Sequence, residues 1–147
     1  MKLSEHFKLQ EFTRSETAKR LNIDNNPGEI ELANLKRLAN EMEKIRKLFG
    51  KPIIITSGYR CNKLNSSIGS KPTSRHVLGL ACDFFIHGLE IKEIVQIIKD
   101  SYLANSVDQC ICEFDDWVHF SIPETNVDPR KMFLTIDKDG TRPFEFA

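Results

Sequence analysis

The sequence predicts an α+β protein: a small mixed, mainly antiparallel sheet packed against N-terminal helices. Three observations carry this. A long apolar stripe at helical spacing lies near the N-terminus, a β-branched run follows it directly, and the C-terminal half holds two pairs of short alternating segments with turn signals between them. Helices come first and a single helix interrupts the strands, which argues against regular βαβ alternation.

Taken in order, Ser15 followed by ETAKRLN reads as an N-cap and a brief helix, and IDNNPGE as a turn-rich loop. From Glu29 to Phe49 the apolar residues Leu35, Leu38, Met42, Ile45 and Phe49 recur on one face, and Gly50 with Pro52 supplies the stop. Ile53, Ile54 and Ile55 predict a buried strand that delivers Ser57, Gly58, Tyr59 and Arg60 to its far end. CNKLNSSIGSKPTSRH then loops or forms a short helix, LACDFFI is a second strand, and GLEIKEIVQIIKD is an amphipathic helix with Ile91, Ile94, Val95 and Ile98 on one side. VDQCICEF with WVHFSI predicts one hairpin, and MFLTI with PFEF, joined through Asp139 and Gly140, another.

A chain of 147 residues fits one domain spanning 1–147, and at this size roughly two thirds of the unfolded surface can be buried. Lys plus Arg and Asp plus Glu both number 21, so no net basic field exists to gather phosphates, and nucleic acid is not an expected partner. The opening MKLSEHFKLQEF lacks the apolar stretch of a secretory signal, and no run reaches the length of a membrane span. The expectation is a monomer, cytoplasmic as synthesised, that would meet an external target only after lysis or by a separate export route. Cys61, Cys82, Cys110 and Cys112 then read as reduced thiols, with Cys110 and Cys112 on one strand face pointing into the core. His6 and His87 have no partner motif and read as solvent-facing or locally bonded.

Two distant segments carry metal-binding side chains at strand ends: SRHVLGLACD, from Ser74 to Asp83, and DDWVHF, from Asp115 to Phe120. Together they offer His76, Asp83 and His119. Two imidazoles and one carboxylate match the donor set of a catalytic zinc, which keeps three protein ligands and leaves a position open. Gly79 and Ala81 are small enough to let the chain turn from the loop bearing His76 into the strand bearing Asp83. Trp117 alternates with His119, which puts its ring along the wall of the same cleft or beside it.

SGYR, then SxHxxGxAxD, then WVH, in this order and separation, resemble the zinc D-Ala-D-Ala carboxypeptidases and the L-alanyl-D-glutamate endopeptidases related to them. HFKLQEF, the Asn-Pro loop, the helix ending in FGKPIIITSGYR, and Asn65 with Gly69 are also similar to the compact phage and bacterial members. The resemblance implies a hedgehog/D-Ala-D-Ala peptidase-like fold with one zinc ion on His76, Asp83 and His119. It gives Arg60 the role of holding a substrate carboxylate or polarising the scissile carbonyl, and Ser74 that of bonding substrate or orienting the ligand loop. Tyr59, in the shaped turn of SGYR, and Trp117 are the further candidates for lining a substrate cleft. The general base is open between Glu113, six residues before the last His as in compact relatives, and Asp116, three before it as in larger ones; QCICEFDDWVH follows the compact pattern more closely.

The function so implied is zinc-dependent hydrolysis of an amide bond in a peptidoglycan stem peptide, of carboxypeptidase or endopeptidase type. Two other readings stand beside it: a non-catalytic zinc-containing module that binds peptidoglycan or peptide, and a cytoplasmic D-Ala-D-Ala dipeptidase.

Overall fold

A computed structural model describes residues 1–146. The chain opens with two short helices, α1 (Leu9–Thr13) and α2 (Glu16–Arg20), the second capped by Ser15, whose hydroxyl accepts from the Ala18 N–H. Helix α3 (Glu29–Phe49) buries Leu35, Leu38, Ala39, Met42 and Ile45 and stops at Gly50, which adopts the left-handed conformation that glycine tolerates. After α3 come strand β1 (Ile54–Ser57), helix α4 (Asn62–Ser67), a single 3₁₀ turn at Arg75–Leu78 and strand β2 (Ala81–Phe85). Helix α5 (Ile91–Asp100) and a second 3₁₀ turn (Tyr102–Ser106) lead into β3 (Gln109–Glu113), β4 (Trp117–Ser121), β5 (Met132–Asp137) and β6 (Gly140–Pro143).

The six strands form one sheet in the order β1-β2-β4-β3-β5-β6. Every pair is antiparallel except β3 with β5. The mixed, mainly antiparallel α+β class read from the sequence is therefore the class observed. Alternation sorts the central strands into two faces. Cys82 and Phe84 of β2, Val118 and Phe120 of β4, and Cys110 and Cys112 of β3 point into a core shared with α3 and α5. The Cys82 thiol touches the Met42 sulfur at 3.6 Å, which fixes the contact between β2 and α3. All four cysteines are free; Cys110 and Cys112 are buried as expected, and Cys82 is buried as well. No described helix is long and apolar enough to cross a membrane.

Two sequence expectations need adjusting. HFKLQEF holds a helix, α1, where the sequence pattern picks out no element; Phe7 and Phe12 of this segment sink into the core, and five helical residues are too few to show a period. The strand expected at PFEF lies earlier, at Gly140–Pro143. Only Pro143 of that tetrapeptide pairs, because Phe144 turns inward, 4 % exposed, with its N–H bonded to the Phe133 carbonyl. His6 is exposed, as expected, and its Nδ1 lies 2.7 Å from the Glu43 carboxylate on α3. His87 is exposed and packs edge-on against Phe85.

Candidate metal centre

Strand β1 prepares the site by breaking its own alternation. Ile55 stands opposite Phe84, a core residue, whereas Ser57 stands opposite Asp83. A bulge at Thr56 makes this possible and turns the following SGYR segment away from the core. Gly58 then passes so close to α1 that a Cβ would lie 2.5 Å from the Phe12 carbonyl oxygen. The segment is held from both sides: Tyr59 N–H donates to that Phe12 carbonyl, Arg60 N–H to the His76 carbonyl, and the buried Asn25 side chain bonds the Tyr59 carbonyl and the Cys61 N–H.

His76 sits in the 3₁₀ turn that Ser74 caps, with the Ser74 hydroxyl accepting from the His76 backbone N–H. Gly79 ends the turn at φ +74°, where a side chain would also meet the Glu31 carbonyl at 2.7 Å. Two residues later the chain enters β2, and Asp83 falls directly opposite His119 of β4. Local turn chemistry places the first candidate ligand, and sheet register places the other two.

His76 Nε2 lies 3.3 Å and His119 Nδ1 3.1 Å from the same carboxylate oxygen, Asp83 Oδ1, and all three side chains are buried. One ligand atom from each falls within 4.8 Å of the others. Donor bonds of about 2.0–2.2 Å arranged tetrahedrally imply donor separations of about 3.3–3.6 Å, so the observed spacing already suits a small tetrahedral ion. His76 Nδ1 is 2.7 Å from the Gly58 carbonyl; donating its proton there leaves Nε2 with a lone pair facing the cluster. Burial, more than any other influence, depresses the basicity of His76 and favours the neutral ring that a metal requires. Burial pushes the Asp83 carboxyl up, but the neighbouring imidazoles outweigh it and hold the group well below the usual range. Two imidazoles with one carboxylate fit zinc and disfavour magnesium or calcium, which prefer oxygen throughout.

Arg60 borders this cluster with Nη2 3.7 Å from Asp83 Oδ2, and its Nη1 lies 3.5 Å from both the Asn65 and Ser70 oxygens. Those contacts are long, so most of its donors are uncommitted. The same guanidinium lines a cavity of about 300 Å³ with Tyr59, Ser57, Thr56, Arg14 and Leu64. Tyr59 is only 8 % exposed, and its ring is part of the core as well as that wall.

The two candidate bases separate. Glu113 points from the same face of β3 as Ile111, which opposes His119 in the ladder. Burial raises its carboxyl; the Asp83 charge adds to this, while His119, Arg60 and the Trp117 indole work the other way. Asp116 is exposed and lines a different groove, about 480 Å³, with Phe85, Leu89, Glu90, Ile91 and Lys92. The reversal of chain between them explains the divergence. Phe114 and Asp115 both have positive φ, 55° and 52°, in a tight turn that sends Glu113 back over the sheet and Asp116 outward. No sequence pattern marked the Gly58 carbonyl or Asn25 as supports of the centre, since each acts through backbone contacts that only the fold reveals.

No curated protein matches the chain. The family model for peptidase M15 matches residues 5–121, which take in Arg60, Ser74, His76, Asp83, Glu113 and His119. M15 peptidases are zinc-dependent, in keeping with the donor set and spacing just described. With the model covering most of its length, the chain belongs to the peptidase M15 family of metallopeptidases.

Proposed function

We propose that the protein is a zinc peptidase of hedgehog/D-Ala-D-Ala peptidase-like fold, acting as a monomer of one domain, that hydrolyses an amide bond in peptidoglycan stem peptides. The observation that carries this reading is the convergence of His76, Asp83 and His119, within 4.8 Å of one another, beside a half-buried carboxylate and an uncommitted guanidinium. When bound, zinc supplies Lewis-acid polarisation of a carbonyl and acidifies a water molecule.

The chain's own residues supply the rest. His76, Asp83 and His119 are the ligands, with the Gly58 carbonyl fixing the His76 tautomer. Glu113 is the general base. Its raised carboxyl suits a group that takes a proton from the attacking water and returns it to the leaving amine. Arg60 holds a substrate carboxylate or the carbonyl oxygen as negative charge grows on it, a role for which its free donors and partial burial are suited. Ser74 orients the ligand turn, its hydroxyl accepting from the His76 N–H while its own proton stays free to donate to substrate. Tyr59 contributes to the wall of the cavity that shares Arg60.

The test is digestion of purified stem peptides with and without a chelator, the products identified by mass. Chelator-sensitive cleavage supports the reading and names the bond, carboxyl-terminal D-Ala-D-Ala or internal L-Ala-D-Glu. Cleavage of free D-Ala-D-Ala alone would instead identify a dipeptidase, and bound zinc with no cleavage of either substrate would point to a non-catalytic binding module.

A further inference from the structure

Trp117, the single tryptophan of the chain, stands directly opposite Glu113 in the β3–β4 ladder. Side chains so paired leave the same face of the sheet within contact distance. The Trp117 indole nitrogen is closed off from solvent and has no hydrogen-bond partner among the described residues. An orphaned buried N–H is costly, and an acceptor on a neighbouring side chain relieves it. The nearest candidate by register is the Glu113 carboxylate, paired with Trp117 across the ladder, whose charged form the indole favours.

The surroundings hold the ring in place. Phe114 packs against the indole, ring centres 5.8 Å apart, from a turn whose two left-handed non-glycine residues are strained. Such a turn persists only where its neighbours determine it, and here the neighbours are the residues flanking Glu113.

We propose that Trp117 is a positioning residue: its indole N–H donates to the Glu113 carboxylate and fixes that group in the orientation facing the His76–Asp83–His119 cluster. The proposal rests on the reading of Glu113 as the general base. It assigns the ring to the base rather than to the substrate-lining role that its place beside His119 first suggested.

One tryptophan gives one indole N–H signal in the ¹⁵N-labelled protein, so the bond can be tested without metal or substrate. Glu113→Ala should move that signal and speed its exchange with solvent about tenfold or more. An unmoved signal with unchanged protection overturns the proposal. Trp117→Phe keeps an aromatic ring against Phe114 and removes the donor. With zinc content unchanged, it should lower kcat roughly ten- to a hundredfold at nearly constant KM. A raised KM at constant kcat would mean that the ring serves the substrate, and would overturn the proposal. A signal that responds to Glu113→Ala, beside a kcat indifferent both to that change and to Trp117→Phe, would leave the bond standing and reject Glu113 as the base, which keeps the two failures apart.

Discussion

The two faces of the β2-β4-β3 ladder make opposite use of neighbouring residues. On one face Cys82, Phe84, Val118, Phe120, Cys110 and Cys112 are at most 2 % exposed and join one apolar core. On the other, Asp83, His119, Glu113 and Trp117 are gathered where the core would reject them. A buried carboxylate and two imidazoles cost stability unless something compensates them, and within the fold they mainly compensate one another. Stability and chemistry are thus separated by one residue of strand, and substitutions one position apart should fail in different ways.

The largest separation is expected at the ligands. His76→Ala or His119→Ala should remove bound metal and lower hydrolysis about a thousandfold or more, since several kcal/mol of transition-state stabilisation leave with the ion. Circular dichroism of both variants should remain that of a folded protein; loss of the fold along with the metal would erase the distinction between faces. Glu113→Gln should retain metal by elemental analysis and lose about 10²–10⁴ in rate. Asp116→Asn, altering an exposed side chain in another groove, should keep near-normal turnover, and the reverse ranking would move the base to Asp116.

On the core face the loss should appear in denaturant unfolding instead. Phe84 is fully buried, and Phe84→Ala should cost about 3–5 kcal/mol while zinc affinity per folded molecule stays the same. The smallest effect concerns a buried carboxylate away from the centre. Asp108 accepts from the Arg130 guanidinium at 2.7 and 3.0 Å. Burial pushes the Asp108 carboxyl up, but the bonds and charge of Arg130 outweigh it and bring it below the ordinary range. Because the folded-state value is depressed, the pair stabilises fully above the unfolded pKa of about 3.9 and loses that contribution as pH falls through the folded value. Arg130→Ala should therefore cost about 1–2 kcal/mol at pH 7, limited by the partial exposure of Arg130, and the deficit should shrink below about pH 4. A deficit independent of pH would assign Arg130 to packing alone.

The sequence made the candidate ligands legible because zinc restricts its donors to few residue types, and the spacing of His76, Gly79, Ala81 and Asp83 has a steric reason that the fold repeats at Gly79. The long helix was legible from periodicity and, although β1 is an edge strand that buries Ile55 and exposes Thr56, the strand after it was legible from its β-branched run. The choice between Glu113 and Asp116 was not, because it turns on a reversal at Phe114 and Asp115, and neither residue announces a left-handed turn as Asn-Gly would. The bulge at Thr56 was equally silent: threonine is an ordinary strand residue, and only pairing with β2 shows that Ser57 has changed faces. What stayed hidden was register and backbone contact, including the Gly58 carbonyl that orients His76.

The most direct test of the central claim is elemental analysis of the purified protein beside Asp83→Ala, both loaded with zinc and then dialysed. The account predicts about one zinc per chain in the unaltered protein and none retained by the variant; equal zinc in both would contradict a centre built on His76, Asp83 and His119.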